Sequence, residues 1–209
     1  MHDLRWLPDN SGLGFNVMSP LEISTVYRLD LATGKWQNWP LPIKGWTRTD
    51  WGPDKNSFIY NKGNVGLYQF NIKTGETRNI FQPDTSTWYT IRGLKFSRDH
   101  KKLTFMFQNT IKNTNLMVLD LESGESRMLA QNFWSPTFSP DGQKILTFGS
   151  SGMAVLSLDG EILHEFDLAK HFSPGTRISS FDWSPDGKQL VFMTRNIIIE
   201  TYLMKNVLK

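Results

Sequence analysis

The sequence predicts an all-β fold, a five-bladed β-propeller of four-stranded antiparallel blades, and three observations predict it. Aromatic residues make up 13% of the 209 residues, with 8 Trp and 14 Phe, a content that favours strands. A block that ends a strand at a turn aspartate recurs five times, at Asp9, Asp54, Asp99, Asp141 and Asp186, in steps of 45, 45, 42 and 45 residues. A second block alternates apolar and polar residues, breaks at a glycine, and follows each of the first four copies.

The elements follow in order. Each period begins with a strand that ends at the Pro-Asp turn, clearest in Phe138-Ser139-Pro140-Asp141-Gly142 and Trp183-Ser184-Pro185-Asp186-Gly187. Proline presets φ, the aspartate accepts backbone N–H bonds, and glycine relieves the last turn residue, so this aspartate is read as a fold element. The third copy has Arg98 for proline and His100 for glycine, which predicts a looser turn. A short apolar strand comes next, as in Leu190-Val191-Phe192. The alternating strand follows, as in Leu67-Tyr68-Gln69-Phe70-Asn71, and a fourth strand follows its glycine, as in Lys35–Trp39 and Thr77–Phe81. Four strands per period of about 42–45 residues make one blade. The chain is expected to be a single propeller domain, residues 1–209, with blades over 3–40, 46–82, 91–131, 134–168 and 177–209. The fifth segment is short of sequence for its fourth strand, so the ring is expected to be incompletely closed.

Composition excludes several function classes. There is no cysteine, which removes disulfides, thiolate metal sites and cysteine catalysis. The net charge of +3 is mild and the Lys and Arg residues are dispersed, so direct nucleic-acid binding is not expected. The N-terminus lacks the pattern of a signal peptide, and the longest apolar runs are far below the roughly 18 residues of a membrane span, so no membrane contact is expected of this segment.

The repeated residues resemble the WD40-like repeat of the Tol-Pal system propeller (TolB-like), whose pattern is Phe-Ser-Pro-Asp-Gly-Lys-x-Leu-x-Phe followed by Tyr-x-x-Asp-Leu-x-Thr-Gly-Glu. The resemblance covers nearly the whole chain and implies the propeller fold and a bacterial, periplasmic location, with a cytoplasmic free-standing propeller as the alternative. Thr194–Ile199 and Met204–Val207 are also similar to the C-termini of membrane-anchored winged-helix regulators of the ToxR/CadC kind. That likeness implies a sensor fragment of a transcriptional regulator.

The residues contain no catalytic constellation. Gly149-Ser150-Ser151-Gly152 lacks nucleophile-elbow spacing, Gly12-Leu13-Gly14 lacks the third glycine of a dinucleotide loop, and the four histidines share no metal-ligand spacing. No catalytic residue, no metal ligand and no cofactor is therefore expected. The loops that lead into each blade carry aromatic residues with arginine close by: Trp46 and Arg48, then Trp88, Tyr89 and Arg92, then Phe133 and Trp134, then His171 with Arg177 just beyond. Such residues dominate binding hot spots, and large aromatics also plug between blades. The expectation is a binding or sensor module without catalysis, taking a protein, small-molecule or glycan ligand on the lead-in face. The alternative is a carbohydrate-active propeller, glycosidase or glycan-binding, with Asp50 and Asp182 as candidate carboxylates of the inner strands. A scaffold for contacts between two copies is the third reading.

Overall fold

Among the described residues, eighteen strands form five sheets. The computed structural model describes residues 2–17, 23–44, 47–52, 56–62, 66–83, 89–108, 113–149, 152–167, 170 and 177–195. Blade one holds β1 (His2–Trp6), β2 (Gly12–Val17), β3 (Ile23–Asp30) and β4 (Trp36–Lys44). Blade two holds β5 (Thr49–Trp51), β6 (Ser57–Asn61), β7 (Leu67–Asn71) and β8 (Thr77–Phe81). Blade three holds β9 (Thr90–Phe96), β10 (Lys102–Gln108), β11 (Thr114–Asp120) and β12 (Ser126–Gln131). Blade four holds β13 (Phe133–Phe138), β14 (Lys144–Gly149), β15 (Gly152–Ser157) and β16 (Ile162–Phe166). Blade five, among the described residues, holds β17 (Arg177–Trp183) and β18 (Leu190–Arg195). Every sheet is an antiparallel meander in chain order. The outer strand of blade one runs past Trp39 and through Pro40, further than the sequence suggests; proline is tolerated there because an edge strand leaves one row of amides outside the ladder.

The turns explain why the period is so regular. Ser97 Oγ donates to Asp99 Oδ1 at 2.6 Å while the Lys101 amide donates to the same oxygen at 3.0 Å. Asp141 accepts from Ser139 Oγ and the Gln143 amide, and Asp186 from Ser184 Oγ and the Lys188 amide. The residue after the aspartate is left-handed in each of the four described copies: Asn10, His100, Gly142 and Gly187, with φ of 58°, 56°, 69° and 71°. The third turn is therefore not looser. His100 adopts the glycine conformation, and its ring packs on Phe96 at 5.3 Å between centroids. The hairpins between third and fourth strands use the same device: Asp30 accepts from the Thr33 amide and Asp120 from the Glu122 and Ser123 amides.

The core sits between blades. Leu7, Val26 and Leu41 of blade one pack against Trp51, Phe58 and Tyr60 of blade two. Ile59 and Leu67 meet Ile91, Leu103 and Phe105 of blade three. Leu116, Val118 and Leu129 meet Phe138, Ile145 and Leu156 of blade four. Leu146, Met153 and Val155 meet Ile178, Phe181, Trp183 and Leu190 of blade five. Sheets with two apolar faces bury both by standing side by side around an axis, which is the propeller arrangement. Among the described residues no such cluster joins blade five to blade one, and no strand pairing closes the ring.

Candidate functional site

The first strands of neighbouring blades meet, β1 with β5, β5 with β9 and β9 with β13, which makes them innermost, and among the described residues four of the five first strands are bulged. In β1, β9, β13 and β17 the ladder to the second strand carries one extra residue on the inner strand. Bulges re-aim side chains, and two of these are set by left-handed residues, Gly93 at φ 65° and Ser135 at φ 54°. The Ser135 amide donates to Met106 Sδ at 3.3 Å, which ties the blade-four bulge to blade three.

Arg92 and Trp134 stand directly before these two bulges. Each lies seven residues before its turn aspartate, Asp99 or Asp141, so they occupy one position in neighbouring inner strands. Both are exposed, Trp134 by 40%. The Trp134 ring rests edge-on against Phe148 at 6.4 Å, and its carbonyl accepts from Thr147 Oγ1 at 2.8 Å. The indole is thus held by its own sheet with one surface open. A planar guanidinium and an open indole at equivalent positions of neighbouring inner strands offer a forked donor for an anion and a flat apolar platform.

The other lead-in residues divide. Tyr89 is 4% exposed and packs with Ile91, Leu103 and Phe107; burial pushes its phenol pKa up. Phe133 is half-buried with its ring against Gly149, where an added Cβ would stand 2.7 Å from the ring. These two side chains pack into the framework. Arg48 is half-buried, and its amide donates to Asn61 Oδ1 at 2.5 Å. Arg177 opens β17 opposite Arg195. Trp46, Trp88 and His171 lie outside the described residues.

A charged cluster lies along the same inner strands, toward the Pro-Asp turns. Asp50 is 8% exposed; its Oδ1 accepts from the Trp51 amide at 3.0 Å and its Oδ2 from the Phe96 amide of blade three at 3.3 Å. Burial pushes the carboxyl pKa up, against the pull of the Lys95 and Arg5 cations. Those cations hold the position equivalent to Asp50 in blades three and one. His100 is half-buried, and burial holds its imidazole below the usual value, against the pull of Asp50 and Asp99. Asp182, the other carboxylate singled out from the sequence, is exposed; it accepts from the Trp183 amide at 2.9 Å and borders a recess of about 270 Å³ with Arg98. Among the described residues no group of three or more His, Cys, Asp or Glu could hold a metal ion.

A cleft of about 950 Å³ lies between blades four and five. Its walls are Met153, Val155 and Leu163 on one side and Trp183, Leu190 and Phe192 on the other, with Lys144, Lys170 and Lys188 at the rim. The sequence reading missed this cleft. It also missed the bulges, whose signal is the break in inner-strand alternation at Gly93 and at Ser135-Pro136.

The chain superposes with a TM-score of 0.69 on an oligogalacturonate lyase in complex with manganese, at 19% identity, covering 91% of this chain and 57% of that one. It matches an oligogalacturonate lyase from Vibrio parahaemolyticus with a TM-score of 0.69 at 18% identity over 91% of this chain and 57% of that one. It matches TolB from Acinetobacter baumannii with a TM-score of 0.63 at 21% identity over 76% of this chain and 41% of that one. No family model and no curated protein matches the chain. The fold is thus a β-propeller, as in these structures, and the chain spans about half their length. One expectation is overturned. A module without catalysis was expected because no catalytic motif is visible, yet enzymes stand among the structures that share this fold, so a missing motif does not exclude catalysis here.

Proposed function

We propose that this chain is a ligand-binding propeller that takes an acidic ligand on the lead-in face of its funnel, between Arg92 and Trp134. The observation that carries the reading is their shared position: two neighbouring inner strands each present an exposed side chain directly before a left-handed bulge. The guanidinium pairs with a carboxylate and the indole covers a sugar ring or an apolar side chain. An acidic oligosaccharide and an acidic peptide share that chemistry. The sugar reading is supported by the resemblance of the fold to that of oligogalacturonate lyase. The resemblance to the TolB-like repeat supports a place in the bacterial periplasm. A role as the sensing part of a ToxR/CadC-like regulator rests on residues 194–207, of which only Thr194 and Arg195 lie in the described structure.

Isothermal titration with a defined oligogalacturonate and with an acidic peptide of equal charge distinguishes the two ligands. Binding of either that falls about tenfold or more in Trp134→Ala and in Arg92→Ala, with unchanged melting, supports the proposal. Binding by neither, or binding unaffected by both substitutions, overturns it.

A further inference from the structure

Met106, half-buried on β10, stands where the bulges of blades three and four meet. It pairs with Arg92 across the β9–β10 ladder, at the step where the register shifts. Directly paired residues project from the same face of a sheet, so the Met106 and Arg92 side chains leave blade three together. On its other side Met106 pairs with Leu116, which packs in the cluster shared with blade four, so this face is turned toward blade four. The Met106 side chain crosses to that blade, and its Sδ accepts a hydrogen bond from the Ser135 amide at 3.3 Å.

Two left-handed backbone positions converge on this one thioether. Ser135 directly follows Trp134 and is held at φ 54°, a value that disfavours any residue with a Cβ. Such a conformation persists where the surrounding contacts over-determine it. The β13–β14 register shifts between Trp134 and Thr137, so Ser135 lies outside the regular ladder, and the Met106 sulfur is the contact that holds its amide. Gly93 directly follows Arg92 at φ 65°, and an added Cβ there would stand 2.9 Å from the Met106 methyl and 3.5 Å from Pro136 Cδ. The methyl of Met106 thus covers the glycine of one bulge while its sulfur holds the amide of the other. An unbranched thioether has the reach for both contacts, and leucine of similar volume lacks the acceptor.

We propose that Met106 is the positioning residue of the Arg92–Trp134 site: its thioether latches the two bulges together and fixes where the guanidinium and the indole stand. This role rests on the ligand site proposed above. Sulfur is a weak acceptor, so the latch shapes local geometry far more than it stabilises the fold.

Met106→Leu keeps the volume and removes the acceptor, so its melting temperature is expected to stay within about 5 °C of the unsubstituted protein. In the full-length variant the Ser135 amide is expected to exchange about tenfold faster. With 5-fluorotryptophan incorporated, the Trp134 fluorine resonance, assigned by its loss in Trp134→Phe, is expected to shift. Affinity for whichever probe binds, the oligogalacturonate or the acidic peptide, is expected to fall about fivefold or more. Met117→Leu makes the same exchange in the cluster that blade three shares with blade two, and is expected to change none of these. In the unsubstituted protein, a labelled Met106 methyl is expected to show a nuclear Overhauser contact to Gly93 Hα. A missing contact, or an unchanged Ser135 amide and Trp134 resonance in Met106→Leu, overturns the latch. A shifted resonance with unchanged affinity overturns the positioning role, as do equal effects in Met117→Leu. The amide, fluorine and methyl readouts need no ligand, so binding of neither probe removes the site above while these three still decide the latch.

Discussion

The Oδ2 oxygen of Asp50, on the inner strand of blade two, accepts a hydrogen bond from the backbone amide of Phe96, on the inner strand of blade three, at 3.3 Å. One carboxylate thus links neighbouring blades at the axis. It is buried, and its pKa is raised by that burial, so the fold carries it at a cost when it is charged.

A pH dependence follows. A carboxyl raised by folding contributes stability that is complete below its unfolded pKa, about 3.9, and is lost as pH rises through the folded value. Asp50→Asn removes this dependence. The difference in melting temperature between variant and unsubstituted protein is expected to move in the variant's favour from about pH 4 toward pH 8. A difference that stays flat over that range, in melts recorded across it, contradicts the assignment.

The turn aspartates behave in the opposite sense. Hydrogen bonds from Ser139 Oγ and the Gln143 amide hold the Asp141 carboxyl below the ordinary carboxylate range. Its contribution is present above the unfolded pKa and lost as pH falls through the lower folded value. Asp141→Ala is expected to lower the melting temperature by a few degrees at pH 7, on the order of one net hydrogen bond for an exposed turn. The gap is expected to close in strong acid. Equal melting at pH 7 contradicts the role given to the turn.

Glycine substitutions separate strain from crowding. Gly124 has φ 76° and open space around an added Cβ, whereas Gly160 has φ 89° and an added Cβ there would stand 2.2 Å from the Leu129 carbonyl oxygen. Gly124→Ala is expected to cost about 1 kcal/mol from the left-handed backbone alone. Gly160→Ala is expected to cost clearly more, because blade four must shift against blade three. Chemical denaturation measures both, and equal costs contradict the packing described between those blades.

The blades were legible because their determinants are local. A turn aspartate with its Ser and Gly neighbours needs only its own hairpin, so the period survives in the sequence even where Arg98 and His100 replace proline and glycine. The site was less legible because it depends on which way a side chain leaves its strand. Tyr89 and Arg92 lie in one lead-in segment, yet Tyr89 turns into the core while Arg92 stands before a bulge and faces solvent. Asp50 and Asp182 share one position in the repeat, yet one is clamped against Phe96 and the other is exposed. Alternation alone cannot assign those directions, since they follow from the neighbouring blade.

The most direct test is a double-mutant cycle on Arg92 and Trp134, using titrations of the acidic oligosaccharide or peptide that binds. If both side chains grip one ligand, their losses are coupled, and the double substitution is expected to deviate from the sum of the single losses by at least about 0.5 kcal/mol. Single losses that add without coupling, or that are both zero, contradict the shared site.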